Sequence, residues 1–313
     1  MTRLRFLLRR LGQAVITLWA VTLLTFLMFK ALPGSVAFGM LGIRTTTEDI
    51  SRINHQLGLD QPLWNQYGRY VGGMLHGDFG SSVVYGKPAM DVILTALPTT
   101  LFLAVYAVVL TAVVTVILAV LAALRRERLT DHVIRSVPVV GLGMPAFWVG
   151  TMLLFLLAYK LPIFPAGGLQ PGFVGHLKTL FLPAATLGVL YTAVLVRSLR
   201  ASLLEVLDSE FVLAARAKGL VGRRLILRHV LPNAILPTVT LLGLIFAGLL
   251  GGALIVEAVF ALPGLGSLLI TGFTRHDFGL VQSVVVLSAL AILLVNIVID
   301  VLYSMLDPRV GLK

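Results

Sequence analysis

Six stretches of this chain, residues 11–29, 92–124, 136–159, 179–196, 229–256 and 278–299, contain no Asp, Glu, Lys or Arg. A helix rises about 1.5 Å per residue, so roughly 17 to 25 apolar residues cross the hydrocarbon of a bilayer, and each run reaches or nearly reaches that length. In lipid every backbone amide must find its partner inside the chain, which leaves the helix as the form for runs of this length. The expectation is an all-α membrane protein with six transmembrane helices. Composition agrees: 58% of residues are hydrophobic and 12% charged, against about 25% charged in soluble chains. Three regions follow: a tail and first helix over 1–31, an external cap over 32–97, and a five-helix core over 98–313 that includes a charged loop at 197–231. Pro98 suits a first helical turn, so the second span is expected to begin there. Arg3, Arg5, Arg9 and Arg10 resemble a signal-peptide leader, but the apolar run is long and Ala31-Leu32-Pro33-Gly34 is a poor cleavage site, so a retained anchor is expected.

Six spans place both ends on one side, and the basic residues choose which. Seventeen Lys and Arg fall in the tails and in the 125–135 and 197–228 loops, against eight on the opposite side. Both termini are therefore expected in the cytoplasm. The same distribution accounts for the net charge of +11, and no folded basic module with interleaved aromatics suggests nucleic acid.

Catalytic patterns fail one by one. Residues 80–88 approach a phosphate-binding loop, yet Gly80 and Gly86 are one residue too far apart and Pro88 replaces the magnesium-binding hydroxyl. Leu75 occupies the first glycine position of an intramembrane aspartyl protease motif before Gly77-Asp78. The six histidines, His55, His76, His132, His176, His229 and His276, sit in loops or at span ends with no i, i+4 pair for a metal, and there is no cysteine. No enzyme, cofactor site or metal site is expected in the chain itself. A secondary transporter would need an ion-binding carboxylate cluster or paired broken helices, and neither pattern is found.

The 197–229 loop is too charged to enter the membrane yet carries apolar residues at helical spacing. Asp208 or Ser209 can cap a helix containing Phe211, Val212, Ala214, Ala215 and Ala217, and Gly219 supplies a positive-φ residue past its end. Arg216 and Lys218 occupy the last turn, where the helix dipole favours cations. A second short helix is expected over 222–230, with Arg223, Arg224 and Arg228. Two readings stand open on the residues alone: amphipathic helices lying on membrane lipid, or a docking element for a cytoplasmic protein.

Ala214-Ala215, Gly219 and Leu231-Pro232 resemble the coupling motif of ABC importer permeases, which reads E-A-A, three residues, G, nine residues, I, one residue, L-P. Leu213 replaces the acidic residue and His229 the isoleucine. Both departures are similar to the dipeptide, oligopeptide and nickel permease branch, as are LGLDQPL at 57–63, GDFGSS at 77–82, LPTTLFLA at 97–104, MPAFWVG at 144–150, EAVFALPGLG at 257–266 and VNIVIDVLYSMLDPRV at 295–310. The resemblance spans the whole chain and implies one of two permease subunits forming a path for di- or oligopeptides, or for nickel chelates or a solute such as glutathione. It implies a second permease, two ATPase subunits that bind ATP and magnesium, and an external solute-binding protein. It also implies that Ala214, Ala215, Arg216, Lys218 and Gly219 contact an ATPase.

Several further residues stand out. Thr45 and Glu48 form a capping-box start to a helix ending at Gly58, and Trp64, Tyr67 and Tyr70 face either the membrane interface or the binding protein. Asp300 is the single acidic residue inside a span, so a latch to Arg197 or Arg200 is expected. Glu257, at the outer end of the fifth span, is a candidate gate, and Lys30 is expected to snorkel outward. Gly243, Ala247, Gly248, Gly251 and Gly252 put small residues on the fifth span, where the second permease is expected.

Overall fold

With no water to satisfy amides in hydrocarbon, the apolar runs close their hydrogen bonds along themselves. The computed structural model describes residues 2–31 and 60–306, so the expected Thr45–Gly58 helix lies outside the described residues. In chain order the helices are α1 (Thr2–Ala31), α2 (Leu63–Leu75), α3 (Ala89–Leu124), α4 (Leu129–Leu142), α5 (Ala146–Leu153), α6 (Phe173–Leu207), α7 (Glu210–Ala217), α8 (Gly222–Leu225), α9 (Leu231–Ala234), α10 (Leu236–Val259), α11 (Leu265–Thr274) and α12 (Phe278–Leu306). Leu154–Lys160 and Ile226–Val230 are π-helical. A two-stranded antiparallel hairpin, β1 (Ser81–Ser82) and β2 (Lys87–Pro88), pairs Ser81 with Pro88 and Ser82 with Lys87.

Among the described residues, four helices are long and apolar enough to cross a membrane alone, within α1, α3, α6 and α12, and six spans result if each of two bent pairs counts as one. The third expected span is not straight. α4 meets the segment that starts with α5 at 112°, because Pro145 cannot donate an amide and disfavours helical backbone at Met144, next to Gly143. The fifth run bends by 56° between α9 and α10, with Pro232 and Pro237 each removing a helical donor. The second span starts earlier than expected. α3 begins at Ala89 with Pro98 in its interior, since Ala89, Val92, Ile93 and Ala96 are all buried and anchor its first turns.

The chain divides into two units, residues 1–98 with 263–313, and residues 99–262; the last span thus groups with the first. In the first unit α1 and α11 pack on α12, and α2 lies against α1. Tyr67 Oη and Thr22 Oγ1 are 3.0 Å apart, and the Phe26 ring meets those of Tyr67 at 5.5 Å and Tyr70 at 6.1 Å. Both tyrosines therefore pack on the first span, while Trp64 remains 75% exposed.

In the second unit α6 is the central element, packed by α4, α5 and α10. α3 shows how membrane packing inverts the soluble rule. Val105, Val109, Val113 and Ile117 form an exposed branched stripe suited to lipid, whereas Ala104, Ala107, Thr111, Thr115 and Ala119 are buried. Small residues let helices approach closely where no hydrophobic gradient drives them together. One close approach joins α3 to α6: a Cβ on Gly188 would lie 2.7 Å from Thr111 Oγ1. Likewise a Cβ on Gly252 of α10 would meet Leu187 at 3.5 Å, whereas the space beside Gly251 is open.

Candidate functional site

The loop expected to be the contact element folds as one short helix hung on α6. Asp208 ends α6, and Ser209 takes the N-cap position of α7 with extended backbone. The Ser209 hydroxyl, however, donates back to Val206 O at 2.5 Å and does not cap α7. Gly219 has φ +85°. That left-handed residue turns the chain so that Leu220 N donates to Ala215 O at 3.1 Å and Gly219 N to Arg216 O at 2.9 Å, the paired bonds that satisfy carbonyls at a helix end.

Side-chain directions sort the expected contact residues. Val212 is fully buried in an apolar core with Ala119 and Ala123 of α3, Val196, Leu199 and Leu203 of α6, and Leu225 and Val230 further along. Ala215, one turn on, is half-buried against the same core. Phe211, Leu213, Ala214, Arg216, Lys218 and Gly219 are exposed. The outward surface of α7 is therefore built on Phe211, Leu213 and Ala214, while Ala215 serves the inner packing. The second short helix, expected as one piece over 222–230, is split into α8 and a π turn, with Leu225, Ile226 and Val230 buried.

Arg200 has a partner that sequence reasoning did not find. Its Nε donates to Asp131 Oδ1 at 2.7 Å and its Nη2 to Asp131 Oδ2 at 2.5 Å. Asp131 is fully buried in the first turn of α4 and also accepts from Glu127 N at 3.0 Å. Arg200 was expected as a possible partner for Asp300; in the structure it makes a two-point bond to Asp131. Arg197 is exposed, and Asp300 lies on α12 with its side chain outside the described part.

Glu257 sits at the last turn of α10 and is fully buried, accepting a 2.6 Å hydrogen bond from Thr100 Oγ1 of α3. Beyond it the helix unwinds at Ala261, φ +50°, with Leu262 N donating to Glu257 O at 2.9 Å. The candidate gate thus ties α10 to α3 just past Pro98.

A second buried carboxylate escaped the sequence reading. Asp277, 1% exposed, takes Ser82 Oγ–H at 2.5 Å and Val84 N–H at 3.0 Å on Oδ2, and Leu280 N–H at 3.2 Å on Oδ1. It caps α12 while pinning the β1–β2 hairpin, and Ser283 Oγ adds a bond to Phe79 O at 2.5 Å. An Asp directly before a charge-free run was a legible N-cap signal; the partner 195 residues away was not.

Residues 115–312 match the family described as binding-protein-dependent transport system inner membrane component, and residues 3–104 match the amino-terminal part of such membrane components. The chain is 36% identical over 335 residues to the probable D,D-dipeptide transport system permease protein DdpB of Escherichia coli (strain K12), covering 99% of this chain and 98% of that protein. It is also 36% identical over 337 residues to the dipeptide transport system permease protein DppB of the same strain, covering 99% of both. The di/tripeptide transport system permease protein DppB of Pseudomonas aeruginosa (strain UCBPP-PA14) is 36% identical, with 98% of each chain covered. Among solved structures, an inward-facing MetNI methionine ABC transporter chain shares the fold with TM-score 0.57 and 16% identity, over 70% of this chain and 97% of that one. A chain of an amino acid ABC transporter gives 0.51 and 18%, over 70% and 94%.

Proposed function

Because the chain belongs to the family of binding-protein-dependent transport system inner membrane components, we propose that it is a permease subunit through which an ATP-driven importer passes di- or oligopeptides. Membership makes it a multi-pass inner-membrane transport component, not itself an enzyme, that works with an ATPase and a solute-binding protein. The observation that carries the peptide reading is the 36% identity to dipeptide permeases along 99% of the chain.

In this reading both termini face the cytoplasm, where the excess of Lys and Arg lies. Two partner ATPases bind ATP and magnesium, and one receives the outward surface of α7. Ala214 permits close approach there, with Arg216, Lys218 and the Gly219 turn flanking it. Seated between the ATPase and the Val212 core, α7 passes the closure of the ATPases to α3 and α6. A second permease lies along the exposed α10 face of Leu244, Gly248, Gly251 and Ile255, whose four- and three-residue steps suit helix pairing. Glu257, on the same helix, acts as a gate by holding α10 to α3 through Thr100.

Proteoliposomes carrying the whole complex test the reading. The native complex should take up radiolabelled dialanine when binding protein and ATP are supplied, with excess unlabelled dipeptide competing. Uptake of a nickel chelate with no peptide uptake would replace the substrate class. Ala214→Asp should leave the chain inserted, weaken ATPase co-purification and abolish uptake, because an unpaired buried charge costs several kcal/mol. Full uptake by that variant would remove α7 as the contact and favour a helix resting on lipid.

A further inference from the structure

Asp131 presents a physical puzzle. Burying an ion pair returns little stability, and replacing one with apolar side chains of similar volume is often neutral or favourable. Yet Asp131 is fully buried and Arg200 only 13% exposed in its side chain, and the pair ties together two elements that apolar packing already joins. Ile134 of α4 lies against the same core as Val212 of α7 and Leu199 of α6. What the pair adds is direction. Apolar contact is non-directional and tolerates sliding, whereas two parallel N–H···O bonds fix both spacing and rotation.

The surroundings reinforce that geometry. Glu127 adopts φ +62°, a conformation that costs roughly 1–2 kcal/mol for a residue other than glycine, and its amide is thereby aimed at Asp131 Oδ2. Eight residues beyond Arg200, Asp208 meets Arg126 at 3.6 Å. The 125–131 turn thus touches the last two turns of α6, immediately before α7 begins. The Arg126 contact is exposed on both sides and of little energetic weight, so the fixed point is the buried pair.

We propose that Asp131 and Arg200 are positioning residues forming the joint through which a displacement of α7 reaches the bent α4–α5 pair. This rests on the reading of α7 as the ATPase contact. Val212 locks α7 to the ends of α3 and α6, so these elements move with it. The ion pair then obliges α4 to follow α6 and not slip along it. Without the joint, ATP hydrolysis proceeds while the α4–α5 pair lags.

The test uses the whole complex and the apolar pair Asp131→Leu with Arg200→Met, which removes both charges of the two-point bond together, while Glu127 N–H and the exposed Arg135 lose their Asp131 contacts. Arg200→Lys, which keeps charge but loses the two-point bond, is the second variant. Expected for both are normal assembly, ATP hydrolysis within twofold of native, and at least a tenfold fall in dialanine imported per ATP. The exchanged pair Asp131→Arg with Arg200→Asp should recover part of the loss. Because the chain contains no cysteine, spin labels can be placed at Val137→Cys on α4 and Glu205→Cys on α6, both exposed positions. In the native pair their separation should stay fixed when ATP and vanadate are added; in the apolar pair it should shift or broaden. This readout holds whatever solute is carried, so failure of peptide import by the native complex would sink the substrate reading alone. An assembled apolar-pair complex with native coupling and a fixed separation would overturn the joint. So would loss of assembly in both variants, which would assign the pair to folding.

Discussion

Replacing Asp277 should loosen the β1–β2 hairpin without unfolding the helices, and the size of the effect can be worked from its bonds. Asp277→Ala removes the N-cap acceptor of Leu280 N–H, worth about 1 kcal/mol, and leaves the Ser82 hydroxyl, itself 1% exposed, with no acceptor at a cost of about 1–3 kcal/mol. These two losses together come to about 2–4 kcal/mol, or roughly a 30- to 700-fold rise in local opening at about 1.4 kcal/mol per tenfold, and the lost acceptor of Val84 N–H adds to it. Asp277→Asn should cost less, about 1–2 kcal/mol, because one carbonyl still accepts and the Ser82 hydroxyl can reverse to accept from the new amide, while Val84 N–H loses its partner. Hydrogen exchange read by mass spectrometry on the purified chain in nanodiscs is the assay. Peptides covering Val84 and Leu280 should exchange faster in the order native, Asn, Ala, with little change in peptides from residues 180–200. Ser82→Ala combined with Asp277→Ala should fall short of the sum by about 0.5–3 kcal/mol. Exchange at Val84 within twofold of native in Asp277→Ala, or strict additivity with Ser82→Ala, would refute the pin.

Three further outcomes are expected. For topology, Lys87→Cys, at an exposed hairpin position, should react with an impermeant thiol reagent in intact cells and Glu205→Cys should not; Ser82, being 1% exposed, is unsuitable as the outer site, and the reverse labelling would invert the orientation. Gly188→Ala places a Cβ 2.7 Å from Thr111 Oγ1, so it should lower the thermal midpoint by an overpacking cost of about 1–3 kcal/mol; adding Thr111→Ala should restore part of it, and an unchanged midpoint would mean that the helices separate freely there. Glu257→Gln keeps an oxygen for the Thr100 hydroxyl and should assemble normally with reduced uptake if the charge gates the path, whereas unchanged uptake would leave Glu257 a purely structural tie.

Local signals were legible and distant pairings were not. The α7 helix, its N-cap position and the left-handed Gly219 all follow from residues within a few positions of one another, because capping geometry is set by neighbours in the chain. Its facing could not be read so simply. Phe211, Val212, Leu213, Ala214, Ala215 and Ala217 surround the helix, so periodicity offers more than one apolar face. Size would have turned Phe211 inward, yet Val212 is fully buried and Phe211 is 46% exposed. Similarly, a charge-free run reports length and polarity but no direction. The break at Gly143-Met144-Pro145 was written in the run over 136–159, and only backbone chemistry, not hydropathy, carries it.

Charge counting hid two buried carboxylates, Asp131 and Asp277, for a related reason. A tally by side treats Asp131 and Asp277 as solvated loop charges, and as a guide to orientation that is adequate, since acidic residues contribute little to the rule. Energetically the same residues are the reverse of solvated. Each lies at the boundary between a loop and a helix, where a helix N-terminus offers free amides and a favourable dipole, and each satisfies its remaining lone pairs with a partner far along the chain, Arg200 for one and Ser82 for the other. A membrane chain has few places where a carboxylate can be desolvated at tolerable cost, and helix starts at the bilayer edge are among them. Between those edges lie spans whose interior packing is small-residue and undirected. Directional polar pins at the ends of α12 and α6 therefore supply what the apolar interior lacks, a defined rotation and register for the helices they hold.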